Sequence, residues 1–135
     1  TSARDYSEWL DMCDEYRVSV ESILRCEGVD IKFYYLMVAE SKCSPSAVSS
    51  KGAEGFWQMM PSTARAYGCD DLGDVECSTR AAAKYIKHLQ TMFKYNFDDI
   101  ISGYNIGGRN YIKRGKTRES QGLVERVKAI MEADR

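Results

Sequence analysis

Glu40 is the residue whose surroundings point most directly to chemistry. It closes an almost unbroken apolar run, Ile31-Lys32-Phe33-Tyr34-Tyr35-Leu36-Met37-Val38-Ala39. A carboxylate at the end of such a segment is costly unless it is paired, hydrogen-bonded or neutral. The same desolvation raises a carboxyl pKa into the range useful for acid catalysis. After Ser41 and a polar turn around Pro45 comes Gly52-Ala53-Glu54-Gly55-Phe56-Trp57-Gln58-Met59-Met60-Pro61-Ser62-Thr63-Ala64. This stretch reads as a glycine-hinged loop with aromatic, thioether and amide side chains, ending at a proline that can start a helix. An acid at the mouth of a core element, faced by such a loop, suits acid catalysis on a carbohydrate.

These residues need elements to hold them. Residues 6–26 read as an amphipathic helix, with Trp9, Cys13, Tyr16, Val20, Ile23 and Leu24 on one face. Gly28 ends it, and Asp30 can cap a central helix over 31–40. A strand over 31–40 is the weaker alternative, because the run shows no alternation and no partner strand is visible nearby. Residues 41–60 read as loop with room for a short hairpin, and 61–67 as a short helix from Pro61, closed by Gly68. Ser78 can cap a long helix to about Lys94, with Ala82, Tyr85, Ile86, Leu89 and Phe93 as its stripe. Asp98 can cap another through Asn105, broken by Gly107-Gly108. Residues 109–118 are basic and read as a solvated loop. Leu123, Val124, Val127, Ile130 and Met131 mark a C-terminal amphipathic helix. The expectation is one all-α domain over 1–135, with at most a small hairpin.

Composition narrows the class. At 135 residues, a chain can bury roughly two-thirds of its unfolded surface. Hydrophobic content of 44% and charge of 29% are ordinary globular values. A net charge of −1 removes any strong electrostatic case for nucleic acid. No apolar stretch reaches the roughly 20 residues that span a bilayer. The N-terminus, Thr1-Ser2-Ala3-Arg4-Asp5, carries no signal-peptide apolar region. Five cysteines, Cys13, Cys26, Cys43, Cys69 and Cys77, form no CxxC pair, and His88 is not spaced for a zinc site. They read either as small buried hydrophobes or as one or two disulfides with a thiol left over. Cys69 and Cys77, bracketing a short polar loop, are the first pair to test.

Taken together, one ordered set of residues carries a family resemblance. Glu40-Ser41, Pro45, Ala47, Ser49, Gly52-Ala53, Gly55, Gln58, Met60-Pro61, Thr63-Ala64 and Gly68 stand in the order and spacing of one motif. It resembles the catalytic domain of family 1 lytic transglycosylases, the soluble type with a lysozyme-like, goose-type-lysozyme-related fold. Gly103-Tyr104-Asn105 resembles the family's Ala-Tyr-Asn motif. Glu119-Ser120-Gln121-Gly122-Leu123-Val124 is a weakened form of its Glu-Thr-x-x-Tyr-Val. The resemblance covers roughly residues 30–131. It departs at Cys43, where the family usually has an aromatic, and at Phe56-Trp57, Gly103 and Leu123, which replace Leu-Met, Ala and Tyr. These departures bear on subsite shape and substrate preference.

The resemblance implies that Glu40 is the catalytic acid and base, with Ser41 helping to position it. Gln58, Met60, Tyr104 and Asn105 match positions lining the glycan groove, and Glu119 matches an acidic position near the active site. Phe56 and Trp57 read either as sugar-stacking residues or as core. The implied reaction cleaves the bond from N-acetylmuramic acid to N-acetylglucosamine in peptidoglycan without water, leaving 1,6-anhydro ends. It calls for a Glu40 pKa raised toward roughly 6. The implied partner is the glycan strand, with no metal or organic cofactor. The domain reads as a monomer in a periplasmic, cell-envelope or extracellular setting, or as a phage-borne enzyme. Two other readings stand beside it. One is a goose-type lysozyme using water, with Glu54 or Glu119 as second acid. The other is a glycan-binding or assembly module without turnover. The basic segment 109–118 reads alternatively as a contact for stem-peptide carboxylates.

Overall fold

The computed structural model describes residues 3–134; Thr1, Ser2 and Arg135, the ends of the expected 1–135 domain, lie outside them. Seven α-helices follow in order: α1 Ala3–Cys26, α2 Tyr34–Ser41, α3 Pro61–Ala66, α4 Val75–Met92, α5 Phe97–Ile106, α6 Gly108–Arg114 and α7 Arg118–Ala133. A 3-10 turn, Ile31–Phe33, leads into α2, and the Asp30 side chain caps it by accepting from the Lys32 amide. The fold is all-α and lysozyme-like. The expected hairpin is reduced to two isolated antiparallel bridges, Val48 with Glu54 and Glu54 with Met59.

α2 is the central element. Tyr34, Leu36, Met37, Val38 and Ala39 are all buried, which is why its sequence is apolar on every side. α1 and α7 pack against it, α4 packs on the far side against α1, and α5 against α7. Burial of this sort, at roughly 25 cal/mol per Å² of apolar surface, is the dominant force holding so short a helix in place.

Three expectations need correction. Ser78 does not cap α4. The helix starts a turn earlier, where the Asp74 side chain accepts from the Cys77 amide at 2.9 Å, and Ser78 is buried inside it with its hydroxyl on the Asp74 carbonyl. Asn96, not Asp98, caps α5, by accepting from the Asp99 amide. The basic segment 109–118 is not a loop. Most of it is α6, which buries Tyr111 against Phe93 and exposes its charges, and its end caps and opens α7 through Thr117.

Two disulfides brace the helices. Cys69–Cys77 closes the polar loop before α4, and Cys13–Cys43 joins α1 to the residue two past the end of α2. Cys26 is free and exposed. Two glycines are dictated by contact. At Gly55, whose φ is +76°, an added Cβ would overlap the Leu72 carbonyl oxygen. At Gly103 it would lie 2.7 Å from the Phe93 ring, so the aromatic occupies the space of the family's alanine methyl.

Candidate active site

Glu40 is the next-to-last residue of α2, which ends because Lys42 and Cys43 take positive φ values of 53° and 61°. The turn is fixed by Ser41: its hydroxyl accepts from the Cys43 amide at 3.0 Å and donates to the Phe56 carbonyl at 2.6 Å. Ser41 thus locks the loop after Ala47 onto α2. It is buried and does not line the cavity at Glu40, and it holds the turn one residue beyond that carboxyl.

The loop is equally self-contained. Gln58 has a φ of 49°, and its Nε2 donates to the carbonyls of Ala47 and Gly55 at 3.1 and 3.0 Å. Phe56 and Trp57 are core, 2% and 0% exposed, so stacking on sugars is excluded for both. Phe56 packs edge-on to Tyr16, and the Trp57 indole donates to the Thr79 hydroxyl at 2.9 Å. With these rings facing inward, the outward side of the loop presents Met59 and Met60 to a cavity of about 350 Å³.

That cavity is bounded by Glu40, the loop with Ser49, Lys51 and Gln58, the end of α5 with Tyr104 and Asn105, Tyr85 of α4, and Glu119 of α7. The expected groove residues Gln58, Met60, Tyr104 and Asn105, and the nearby acid Glu119, therefore line one cavity with Glu40, while Ser41 lies behind it. The Tyr104 hydroxyl is already committed, donating to the Trp57 carbonyl at 2.6 Å, and its ring meets Tyr85. Asn105 donates from Nδ2 to Glu119 Oε1 at 3.3 Å, while its buried Oδ1 has no partner. Lys51 and Tyr85 complete the cavity unforeseen: Lys51 lies in a loop and Tyr85 belongs to an ordinary helical stripe, so neither carried a signal of its own.

The electrostatics separate the two carboxylates. Glu40 has its pKa pushed up to about 7, above all by burial, with the Arg126 cation pulling it down and the Glu119 charge adding to the rise. Its place at the C-terminal end of α2, where the helix dipole is negative, acts in the same direction as burial. Among the described residues no side chain donates a hydrogen bond to it. Glu119 is held below the usual carboxylate range by hydrogen bonds from Lys51, at 3.2 Å, and Asn105. One acid is thus poised to exchange a proton near neutrality and the other is kept ionised. Among the described residues no group of three His, Cys, Asp or Glu side chains converges to hold a metal ion.

With this geometry in view, comparison with known proteins is informative. The profile of the Transglycosylase SLT domain matches residues 27–125. The chain belongs to that family. It is 30% identical over 115 residues to "Membrane-bound lytic murein transglycosylase D" of Escherichia coli K12, covering 81% of this chain and 25% of that protein. The protein of the same description from Escherichia coli O6:H1 matches equally. The fold is shared with the lytic transglycosylase Slt of Pseudomonas aeruginosa, solved as an inactive glutamate-to-glutamine mutant. That match has a TM-score of 0.74 at 19% identity, covering 85% of this chain and 23% of the other. The chain thus spans about a quarter of the length of these relatives. The family's departures at Cys43, Phe56-Trp57, Gly103 and Leu123 are all buried, and none lines the cavity.

Proposed function

We propose that this chain is a peptidoglycan lytic transglycosylase that cleaves the β-1,4 bond from N-acetylmuramic acid to N-acetylglucosamine, with Glu40 as acid and then base. The observation that carries the reading is a single dehydrated carboxyl, with a pKa of about 7, opening onto a cavity with apolar and amide walls. Near neutrality about half of such a group is protonated, so both forms are available for catalysis. Protonated Glu40 donates to the glycosidic oxygen, the C1–O bond breaks, and C1 becomes oxocarbenium-like. Ionised Glu40 then takes the proton of the C6 hydroxyl, and O6 bonds to C1. The carboxyl ends protonated as it began, and no water is consumed.

Met59, Met60 and Tyr85 offer surface for sugar rings. The partnerless Asn105 Oδ1 seeks a donor such as an acetamido N–H. Tyr104 acts through the loop: its bond to Trp57 holds the wall opposite Glu40. A retaining or inverting hydrolase needs a second carboxylate for its nucleophile or base. Glu54 is exposed and does not line the cavity, and Glu119 is tied to Lys51 and Asn105, which supports the non-hydrolytic route. The domain acts as a monomer on glycan strands of the cell envelope. The name of the Escherichia coli relatives, membrane-bound, fits that setting. Among the described residues no helix is long and apolar enough to cross a membrane.

Mass spectrometry of digested glycan tests the chemistry: 1,6-anhydro ends are expected, and reducing ends would establish a lysozyme instead. Glu40→Gln should lower turnover by about 10³-fold, within the range of general acid–base contributions, while glycan binding persists. Unchanged activity would remove Glu40 from the mechanism.

A further inference from the structure

Beside the cavity that holds Glu40 lies a second recess of about 330 Å³, and the two share Lys51, Asn105, Ile106 and Glu119 as a common wall. Their linings differ in kind. The first is faced with Met59, Met60, Tyr85 and Tyr104, whereas the second adds Asn110, Arg114 and Thr117 and, Ile106 apart, presents polar side chains. Its charges do not cancel. Glu119 is taken up by Lys51 and Asn105. Arg114, exposed at the end of α6, has no ion pair among the described residues. A free guanidinium beside amide and hydroxyl groups in a concave recess matches a carboxylate, which it can bind through two parallel hydrogen bonds. The Lys51–Glu119 pair is itself open, its side chains 76% and 55% exposed. Such exposed pairs contribute little, so Lys51 can turn to an arriving anion at small cost.

We propose that this second recess binds the acidic peptide borne by the glycan strand, with Arg114 receiving a peptide carboxylate and Lys51 leaving Glu119 to assist. The inference rests on the glycan reading above, because muramic acid carries its peptide on the lactyl group beside the scissile bond. It adds a preference: peptide-substituted strands bind better than bare ones, and the preference resides in α6, outside the motifs that mark the family in this sequence.

Calorimetric titration of Glu40→Gln and Glu40→Gln/Arg114→Glu tests it without turnover. The ligands are a disaccharide-peptide ending in free carboxylates and the same disaccharide without peptide. Arg114→Glu should weaken the peptide-bearing ligand by about 10-fold more than the bare one, the size of a lost charge-assisted contact. Equal weakening of both, or none, overturns the proposal, as does failure of the peptide-bearing ligand to bind at all. The glycan reading is judged separately. If the bare disaccharide does not bind Glu40→Gln while the peptide-bearing one still depends on Arg114, the recess stands and the glycan assignment falls. Arg114 is exposed at a helix end, and unchanged circular dichroism confirms that the double variant is folded.

Discussion

Near the start of α2, the Tyr35 hydroxyl donates to Asp134 at 2.5 Å and accepts from Arg17 at 3.1 Å. Arg17 also pairs with Asp134 at 2.8 Å and Glu21 at 3.0 Å, and its guanidinium lies over the Tyr34 ring. Burial would lower the pKa of Arg17, but its hydrogen bonds with Glu21, Asp134 and Tyr35 outweigh that and raise it. At the other end of the same helix, Glu40 is more dehydrated and has no hydrogen-bond donor among the described side chains. The first region satisfies its half-buried charges and thereby fastens α1, α2 and α7. The second leaves its charge without a hydrogen-bonded partner, and the Arg126 charge does not offset burial, so the folded state holds its proton more tightly. The difference separates a polar cluster whose charges are satisfied from a dehydrated carboxyl that exchanges its proton near neutrality.

The Cys13–Cys43 disulfide links the two regions, since Cys13 sits one turn before Arg17 on α1 and Cys43 lies three residues past Glu40. Replacing both cysteines by serine should cost about 3–4 kcal/mol for a bridge of sequence separation 30, measured by urea unfolding. It should also let the end of α2 loosen and the Glu40 pKa fall, moving the alkaline limb of the pH–activity profile to lower pH. An unmoved limb would show that burial at Glu40 does not depend on the bridge.

Glu40→Gln should stabilise the fold at pH 8. The carboxyl pKa is raised from its ordinary 4.5 to about 7, so between these values the folded state binds more protons than the unfolded one. Stability therefore falls as pH rises through that window. The full rise corresponds to about 3 kcal/mol. Denaturation of wild type and Glu40→Gln should differ by that amount at pH 8 and by little at pH 4. A glutamine that is neutral or destabilising at pH 8 would mean Glu40 is compensated after all. Arg17→Ala should behave oppositely: it strands Asp134 and Glu21 and should cost about 2 kcal/mol, moderated by the partial exposure of the cluster.

The same contrast explains what could be read from the sequence. Glu40 was legible because an apolar run ending in a carboxylate is a local signal, and burial is what perturbs it. Cys69–Cys77, eight residues apart, was legible for the same reason, while Cys13–Cys43 spans a helix and a turn and left no local mark. The Arg17 cluster joins residues 17, 35 and 134, and the recess beside the site joins 51, 114 and 119; only the packing of α1, α2, α6 and α7 brings either set together. Asp74 and Ser78, a turn apart, both suit a cap. The choice fell to Asp74 because Ser78 could be buried only by bonding back to the preceding turn. α6 reads as loop in the sequence because only Gly108 and Tyr111 are buried, too few to print a stripe.

Lys51→Ala should produce the smallest change. Its pair with Glu119 is solvent-exposed, so the loss should stay below about 1 kcal/mol and fade in high salt. The sign with pH is opposite to that at Glu40. Glu119 has a lowered pKa, so what Lys51 contributes is present above the ordinary carboxylate range and disappears as pH falls through the native value. Carboxyl chemical shifts followed by NMR should show Glu119 titrating higher in Lys51→Ala, with Asn105 still bonded to it. A loss as large as that of Arg17→Ala would mean the crossbar between the two recesses is part of the scaffold, and the division between a satisfied and an unsatisfied end of α2 would have to be redrawn to include α7.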